Sequence, residues 1–314
     1  MAHDRKFRFG VMLTRAQSGA QVRDWARKAE DLGYSTLYVS DHFVDHPLAP
    51  IPTIAAVAAS TTTLRVGTLV LGNDYKHPVV VAKEAATIDL LSDGRLELGI
   101  GAGWMTVDYE RAGIPLDRAG IRVSRLEESI AVIKGCWAPG PFSFAGEHYT
   151  INELDGEPRP VQQPRPPIVI GGGGPRVLSL AGREADIVGI NPNLHGGVAD
   201  HPTSAPSINP VSTDEKLAWV REAAGPRYPD LEIQSFAGFS MVTDDAAAIA
   251  EAMAGAFAST PAEVLDSPVA LVGTVDEIVD SLERRRARWD MTYHVVPIEQ
   301  ADAFAPVVAR LAGN

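Results

Sequence analysis

The 314-residue chain is predicted to be an α/β protein, a single (β/α)8 TIM barrel spanning residues 1–314 with insertions in its strand-to-helix loops. Three observations predict it. Short apolar runs alternate with amphipathic stretches roughly eight times along the chain, the pattern of strands joined by covering helices. No second run of strands marks another domain. Leu64 to Trp104 also shows the repeating unit in full: β-rich Leu64 to Leu71, helical Val79 to Leu91 ended by Asp93-Gly94, then Arg95 to Ile100 running into a glycine-rich turn.

The other elements follow from the same spacing. Phe7 to Leu13 is a first inner strand, and Gln21 to Leu32 is a helix stopped by Gly33, with Val22, Trp25, Ala26 and Ala29 on one face. Thr36 to Val39 is the second strand, and Pro52 to Ser60 a short helix. After Trp104 an irregular loop through Asp108, Tyr109, Glu110 and Gly113-Ile114-Pro115 leads to a helix over Val123 to Lys134. Pro139 to Pro167 reads as a small hairpin excursion, built on Phe142 to Phe144 and His148 to Ile151. Ile168 to Ile170 resumes the barrel, a helix runs from about Val177 to Arg183, and Ile187 to Ile190 is a further strand. Asn191 to Thr213 lacks periodicity and reads as a substrate lid, or else as a surface insertion or dimer contact. The rest is predicted as helix Glu215–Ala224, strand Ile233–Val242, helix Asp245–Phe257, helix Thr274–Arg288, strand Tyr293–Val296 and helix Ala301–Leu311. Thr274 with Glu277 forms a capping box, and the arginines near the far end of that helix suit its dipole.

Composition narrows the function. A net charge of −12, with no basic stripe interleaved with aromatics, argues against nucleic acid as a partner. No apolar run is long enough to span a bilayer, and the N-terminal MAHDRKFRFG has no apolar signal core, so a cytoplasmic location is expected. A single cysteine, Cys136, excludes an intramolecular disulfide and reads as packing.

Chemistry is expected where barrel strands end. Asp41 and His42 follow the second strand, and a carboxylate beside an imidazole can orient a ligand and exchange protons, although a strand-end Asp can also serve only as a cap. His46 adds no convincing third ligand, so no metal site is predicted. Gly171 to Gly174 ends a strand and opens a helix at Pro175, so backbone amides and the helix start could hold a phosphate near Arg176 or Arg183. The bland reading is a tight turn. Gly101, Ala102 and Gly103 admit a flat ligand, with Trp104 as a wall.

Taken together, SDHF at Ser40 to Phe43, the block from His77 to Trp104, the GIP loop at Gly113 and IGGGGPRVLSLAGREADIV from Ile170 resemble the bacterial luciferase-like monooxygenase superfamily, particularly its branch using the deazaflavin coenzyme F420. The resemblance implies a flavin or deazaflavin at the C-terminal mouth of the barrel, met by Asp41 and His42, with His42 the candidate acid/base. It implies that Gly172, Gly173, Gly174 and Arg176 hold the phosphate, and that Gly101, Ala102 and Gly103 line the ring. Trp104 and Tyr109 fall on the substrate side, and a non-proline cis bond is expected at Leu69-Val70. The expected activity is an F420-dependent oxidoreductase exchanging a hydride with a small organic substrate. The alternatives are an FMNH2-dependent monooxygenase using oxygen and a non-catalytic flavin-type binder. A homodimer is implied by resemblance alone. One departure stands out. The sugar-phosphate dehydrogenases of the family carry an acid where this chain has Trp104, which makes glucose 6-phosphate an improbable substrate and leaves Glu110 and Tyr109 as weak candidates for proton donor.

Overall fold

The computed structural model describes residues 5–194, 196–198, 204–257 and 259–314. Its main sheet runs β1 (Arg8–Leu13), β2 (Thr36–Val39), β3 (Arg65–Thr68), β4 (Leu71–Gly72), β5 (Leu96–Gly101), β8 (Ile168–Gly172), β9 (Ile187–Ile190), β10 (Glu232–Phe236) and β13 (Met291–Pro297). β3 and β4 are two halves of one strand, interrupted at the cis bond Leu69-Val70 that the family resemblance implies. Counting them once leaves eight strands. All pair in parallel, and the β1–β2, β3–β5 and β1–β13 ladders close the barrel. Parallel pairing requires crossovers, and the covering helices supply them: α1 (Gly19–Asp31), α2 (Pro50–Ala58), α3 (Pro78–Leu91), α4 (Thr106–Ala112), α5 (Ala119–Trp137), α6 (Pro175–Glu184), then Pro210–Ala224, Val275–Trp289 and Ala301–Leu311.

Met12, Tyr38, Val169, Ile187, Tyr293 and Val295 pack with Leu69 and Phe236 inside the barrel. At the N-terminal end of the strands a charged network plugs the bottom. Glu97, fully buried, accepts from Arg8 Nη2 (2.5 Å) and Arg65 Nε (2.7 Å), and Arg8 also reaches Glu232 at 2.7 Å. Burial alone would raise the Glu97 pKa, but the two guanidinium groups hold it below the ordinary range. The closed end is therefore the bottom, and chemistry is left to the mouth.

The elements differ from the sequence expectation in several places, the unassigned strand Ala270–Gly273 among them. The loop expected after Trp104 contains α4, a short helix closed by Gly113 in the left-handed region (φ 69°). The strand expected over Ile233–Val242 breaks at Ala237-Gly238. Its second half becomes β11 (Phe239–Val242), which pairs with β12 (Ala270–Gly273) in a separate parallel ladder. The helix Pro261–Asp266, with a capping box from Thr260 and Glu263, was not anticipated. Finally, the helix expected to begin at Glu215 starts at Pro210, capped by the Asn209 side chain, inside the stretch predicted as lid or insertion. Residues 195 and 199–203 of that stretch lie outside the described residues. The antiparallel hairpin β6 (Phe142–Ala145) and β7 (Thr150–Leu154) forms as expected, and so does the Thr274–Glu277 capping box.

Candidate active site

β2 buries all four of its residues, and the chain turns polar as it leaves the barrel at Ser40, Asp41 and His42. His42 Nδ1 lies 2.6 Å from Asp108 Oδ2, while Asp108 Oδ1 accepts from the backbone N–H groups of Phe43 (3.0 Å) and Val44 (2.9 Å). Asp108 is fully buried in the first turn of α4, so one carboxylate fixes both the imidazole and the loop that carries it. With Nδ1–H donated to the carboxylate, Nε2 is the nitrogen left to exchange a proton. The edge of the Trp104 ring meets the His42 ring with centroids 5.5 Å apart, and His46 does the same from 4.9 Å. Ser40 Oγ holds His46 Nδ1 at 2.5 Å. Burial first, and then the neighbouring His42, push the His46 pKa down.

The sequence pairs Asp41 with His42, and the structure corrects that pairing. Asp41 Oδ2 instead accepts from Gly72 N (3.1 Å), tying the end of β2 to the end of β4, and burial pushes its pKa up. His42 takes its carboxylate from Asp108, 66 residues away in sequence.

The Leu69-Val70 cis bond lies on the strand next to β2, with Leu69 N donating to Val39 O (3.0 Å), and the Val70 side chain explains much of the adjoining glycine turn. A Cβ on Gly101 would meet Val70 Cγ2 at 2.8 Å, and one on Gly99 would fall 1.9 Å from Thr68 O. These glycines admit a neighbouring strand. In Gly101 the missing side chain makes room for Val70, whereas the sequence reading reserves that space for a ligand. Gly103 sits at φ +73°, with the Tyr109 hydroxyl where its Cβ would be. Arg122 on α5 fixes this turn through the carbonyls of Ala102 (3.2 Å) and Gly103 (3.3 Å). Tyr109 itself is fully buried and donates to Asp74 Oδ2 (3.0 Å), which places it behind the turn and out of the open mouth.

Across the mouth, the four-glycine run splits by role. Cβ atoms on Gly171, Gly172 and Gly173 would strike Asn191 Nδ2, Val177 Cγ1 and Pro192 O at 2.7, 2.3 and 2.1 Å. Gly174 alone has nothing within 4 Å of that position. It is the N-cap of α6, with Pro175 in the first turn, no side-chain cap and no acidic residue there. The space in front of Gly174 and the uncapped amides of the first turn therefore suit a phosphate. Arg176 is exposed, and its guanidinium bonds Gly120 O (3.1 Å) and Ser124 Oγ (3.2 Å) at the start of α5, bringing two helix N-termini together. Asn191 N donates to Gly172 O (3.0 Å), and Lys216 Nζ to Asn191 O (2.7 Å). Burial lowers the Lys216 pKa to about 8.

Asp108, Arg122 and Lys216 escaped the sequence reading. The first lies in what was read as a loop, and neither of the others carries a local motif. Among the described residues, no group of three or more His, Cys, Asp and Glu side chains could hold a metal ion, and no helix is long and apolar enough to cross a membrane.

Residues 5–200 match the luciferase-like monooxygenase family. Over 296 residues the chain is 30% identical to an F420-dependent glucose-6-phosphate dehydrogenase of Nakamurella multipartita, covering 90% of this chain and 82% of that one. It is 33% identical over 143 residues to an FMNH2-dependent dimethylsulfone monooxygenase of Pseudomonas putida, covering 46% of this chain and 39% of that one. The chain spans about half the length of several other curated relatives it matches. In structure, the coenzyme F420-dependent tetrahydromethanopterin reductase of Methanopyrus kandleri shares the fold, with a TM-score of 0.75 at 19% identity over 98% of this chain and 99% of that one.

Proposed function

The chain belongs to the luciferase-like monooxygenase family, and we propose that it is an F420-dependent oxidoreductase exchanging a hydride with a small organic substrate. The observation that carries this reading is that the His42–Asp108 pair after β2 and the uncapped start of α6 after β8 both lie at the C-terminal ends of the same parallel barrel strands. F420, when bound, supplies a ring carbon, C5, that accepts or gives a hydride. The chain's own residues do the rest. Gly174, the amides of Arg176 and Val177 and the Arg176 guanidinium hold the phosphate. Val70 and the Gly101 to Gly103 turn support the ring, and the Arg122 bonds keep that turn rigid.

His42 moves the proton. In substrate oxidation Nε2 takes the hydroxyl proton as the C–H hydride leaves, and the Asp108 carboxylate stabilises the imidazolium that forms. Oxidation turns an alcohol into a carbonyl, and reduction runs through the same atoms in reverse. The resemblance puts Trp104 at the position of an acid in the sugar-phosphate dehydrogenases, and on that ground we assign the proton to His42 alone and do not assign glucose 6-phosphate as substrate. The Pseudomonas putida relative supports a second reading, an FMNH2-dependent monooxygenase with FMN in the same mouth.

Three exposed apolar side chains on α3, Val80, Leu90 and Leu91, support a homodimer, which sedimentation would test. We also assign a cytoplasmic location, in keeping with the single buried cysteine. Titration of the purified chain with F420 and with FMN, followed by coenzyme fluorescence, tests the coenzyme assignment. Saturable F420 binding tighter than FMN binding is expected. FMN binding with none of F420 reverses the choice of coenzyme.

A further inference from the structure

A cavity of about 360 Å3 opens outside the coenzyme mouth, between the end of β4, the loop after α4 and the β6–β7 hairpin. The Tyr109–Asp74 hydrogen bond walls it from the mouth: the Tyr109 hydroxyl backs onto Gly103 on one side, and Asp74 lines the cavity on the other. No residue assigned to the coenzyme or to proton transfer lines it, among those described.

Its chemistry is specific. Asn73 is 1% exposed and lines the cavity, and its Oδ1 has no hydrogen-bond partner, while its Nδ2 has only Tyr149 Oη at 3.5 Å. A buried amide with one end unmatched is costly unless a ligand completes it. Every charged side chain around it already has an opposite partner, with one carboxylate in excess. Asp74 and Asp117 share Arg125, and Lys76 is paired with Glu84. Asp74 is itself nearly buried, its side chain 3% exposed. An anion would therefore find no unpaired cation, and a cation would have to compete with Arg125 and Lys76 for carboxylates they already hold. His77 Nδ1 accepts from Val79 N (3.3 Å), which leaves Nε2 as a donor, and its ring meets Tyr149 edge-on. Ile114 and Pro115 add an apolar wall.

From this we propose that the cavity binds a neutral, polyhydroxylated small molecule, its hydroxyls completing Asn73 and bonding His77 and Tyr149, its C–H face on Ile114 and Pro115. A hydroxyl both donates and accepts, so it suits either orientation of the Asn73 amide. The volume is at the low end for a small-molecule site, which fits a single ring. The site does not depend on which coenzyme occupies the mouth.

Calorimetric titration of the full chain with myo-inositol and with D-glucose tests the proposal, with glucose 6-phosphate and glucosamine as charged comparators. Saturable binding of a neutral probe, weakened at least about tenfold by Asn73→Leu and by Tyr149→Phe and unchanged in His42→Ala, is expected. Should Asn73→Leu fail to fold, Tyr149→Phe alone decides. The proposal is overturned by the absence of saturable binding of both neutral probes, by tighter binding of a charged comparator, by binding that survives the cavity substitutions, or by loss of binding in His42→Ala, which would put the probe in the mouth.

Discussion

Asp108→Asn isolates the part of the site that the structure adds to the sequence. The amide oxygen can keep accepting from Phe43 N and Val44 N, now 3.0 and 2.9 Å from Oδ1, so the loop after β2 stays in place. The amide nitrogen then faces His42 Nδ1, where a carboxylate oxygen stood at 2.6 Å. Two donors cannot share that contact. His42 must turn its Nδ1 lone pair toward the amide and carry its proton on Nε2, where the mechanism needs a lone pair. The lost charge-assisted bond alone is worth about 1.5–3 kcal/mol, or roughly 10- to 150-fold in rate. Loss of the general base raises the expected fall in kcat to about 10²–10⁴-fold. Coenzyme Kd should stay within about threefold, because the phosphate is held across the mouth. Turnover of a panel of alcohols and carbonyl compounds gives the rate, and ¹⁵N-resolved NMR of the histidine side chain gives the tautomer. An unchanged tautomer with kcat within about threefold of the parent would refute the dyad.

Other substitutions probe the frame around it. Gly174→Ala should weaken coenzyme binding at least about tenfold while leaving Tm nearly unchanged, since the new Cβ enters open space in front of α6; fluorescence titration and thermal melting separate the two effects. Gly99→Ala should yield insoluble protein or cost more than about 3 kcal/mol, because its Cβ falls 1.9 Å from the backbone oxygen of Thr68; soluble protein with a parental denaturation midpoint would contradict the packing. For Asp41, burial raises the folded pKa, so folding favours the protonated acid and the charged form weakens the fold as pH rises through that pKa. Asp41→Asn keeps an acceptor for Gly72 N and should melt above the parent at neutral pH, with the difference shrinking as pH falls toward the ordinary carboxylate range. A difference that grows on acidification would show the sign to be wrong.

The barrel was legible because its strands are short, apolar and regularly punctuated. β2, β9 and the helix Ala301–Leu311 fall where periodicity places them, and the Thr274–Glu277 box sits at the helix start it predicts. The strand ends marked Asp41, His42 and the glycine turns as the mouth, since parallel barrels put strand C-termini on one face. Partners distant in sequence were not legible. Asp108 reaches His42 through a helix whose single Gly113 stop and two turns leave little periodic signal. Likewise, three of the four glycines in Gly171 to Gly174 serve packing against Asn191, Val177 and Pro192, contacts that only tertiary structure reveals. The cis bond at Leu69-Val70 came from family resemblance, because nothing in the local composition marks it.

The account's central claim is tested most directly by a crystal structure of the chain with F420 bound. It predicts the phosphate at Gly174 and the first-turn amides of α6, the ring against Val70, and His42 Nε2 at the ring's reacting edge. A phosphate on the opposite rim, or a ring out of reach of His42, would contradict it.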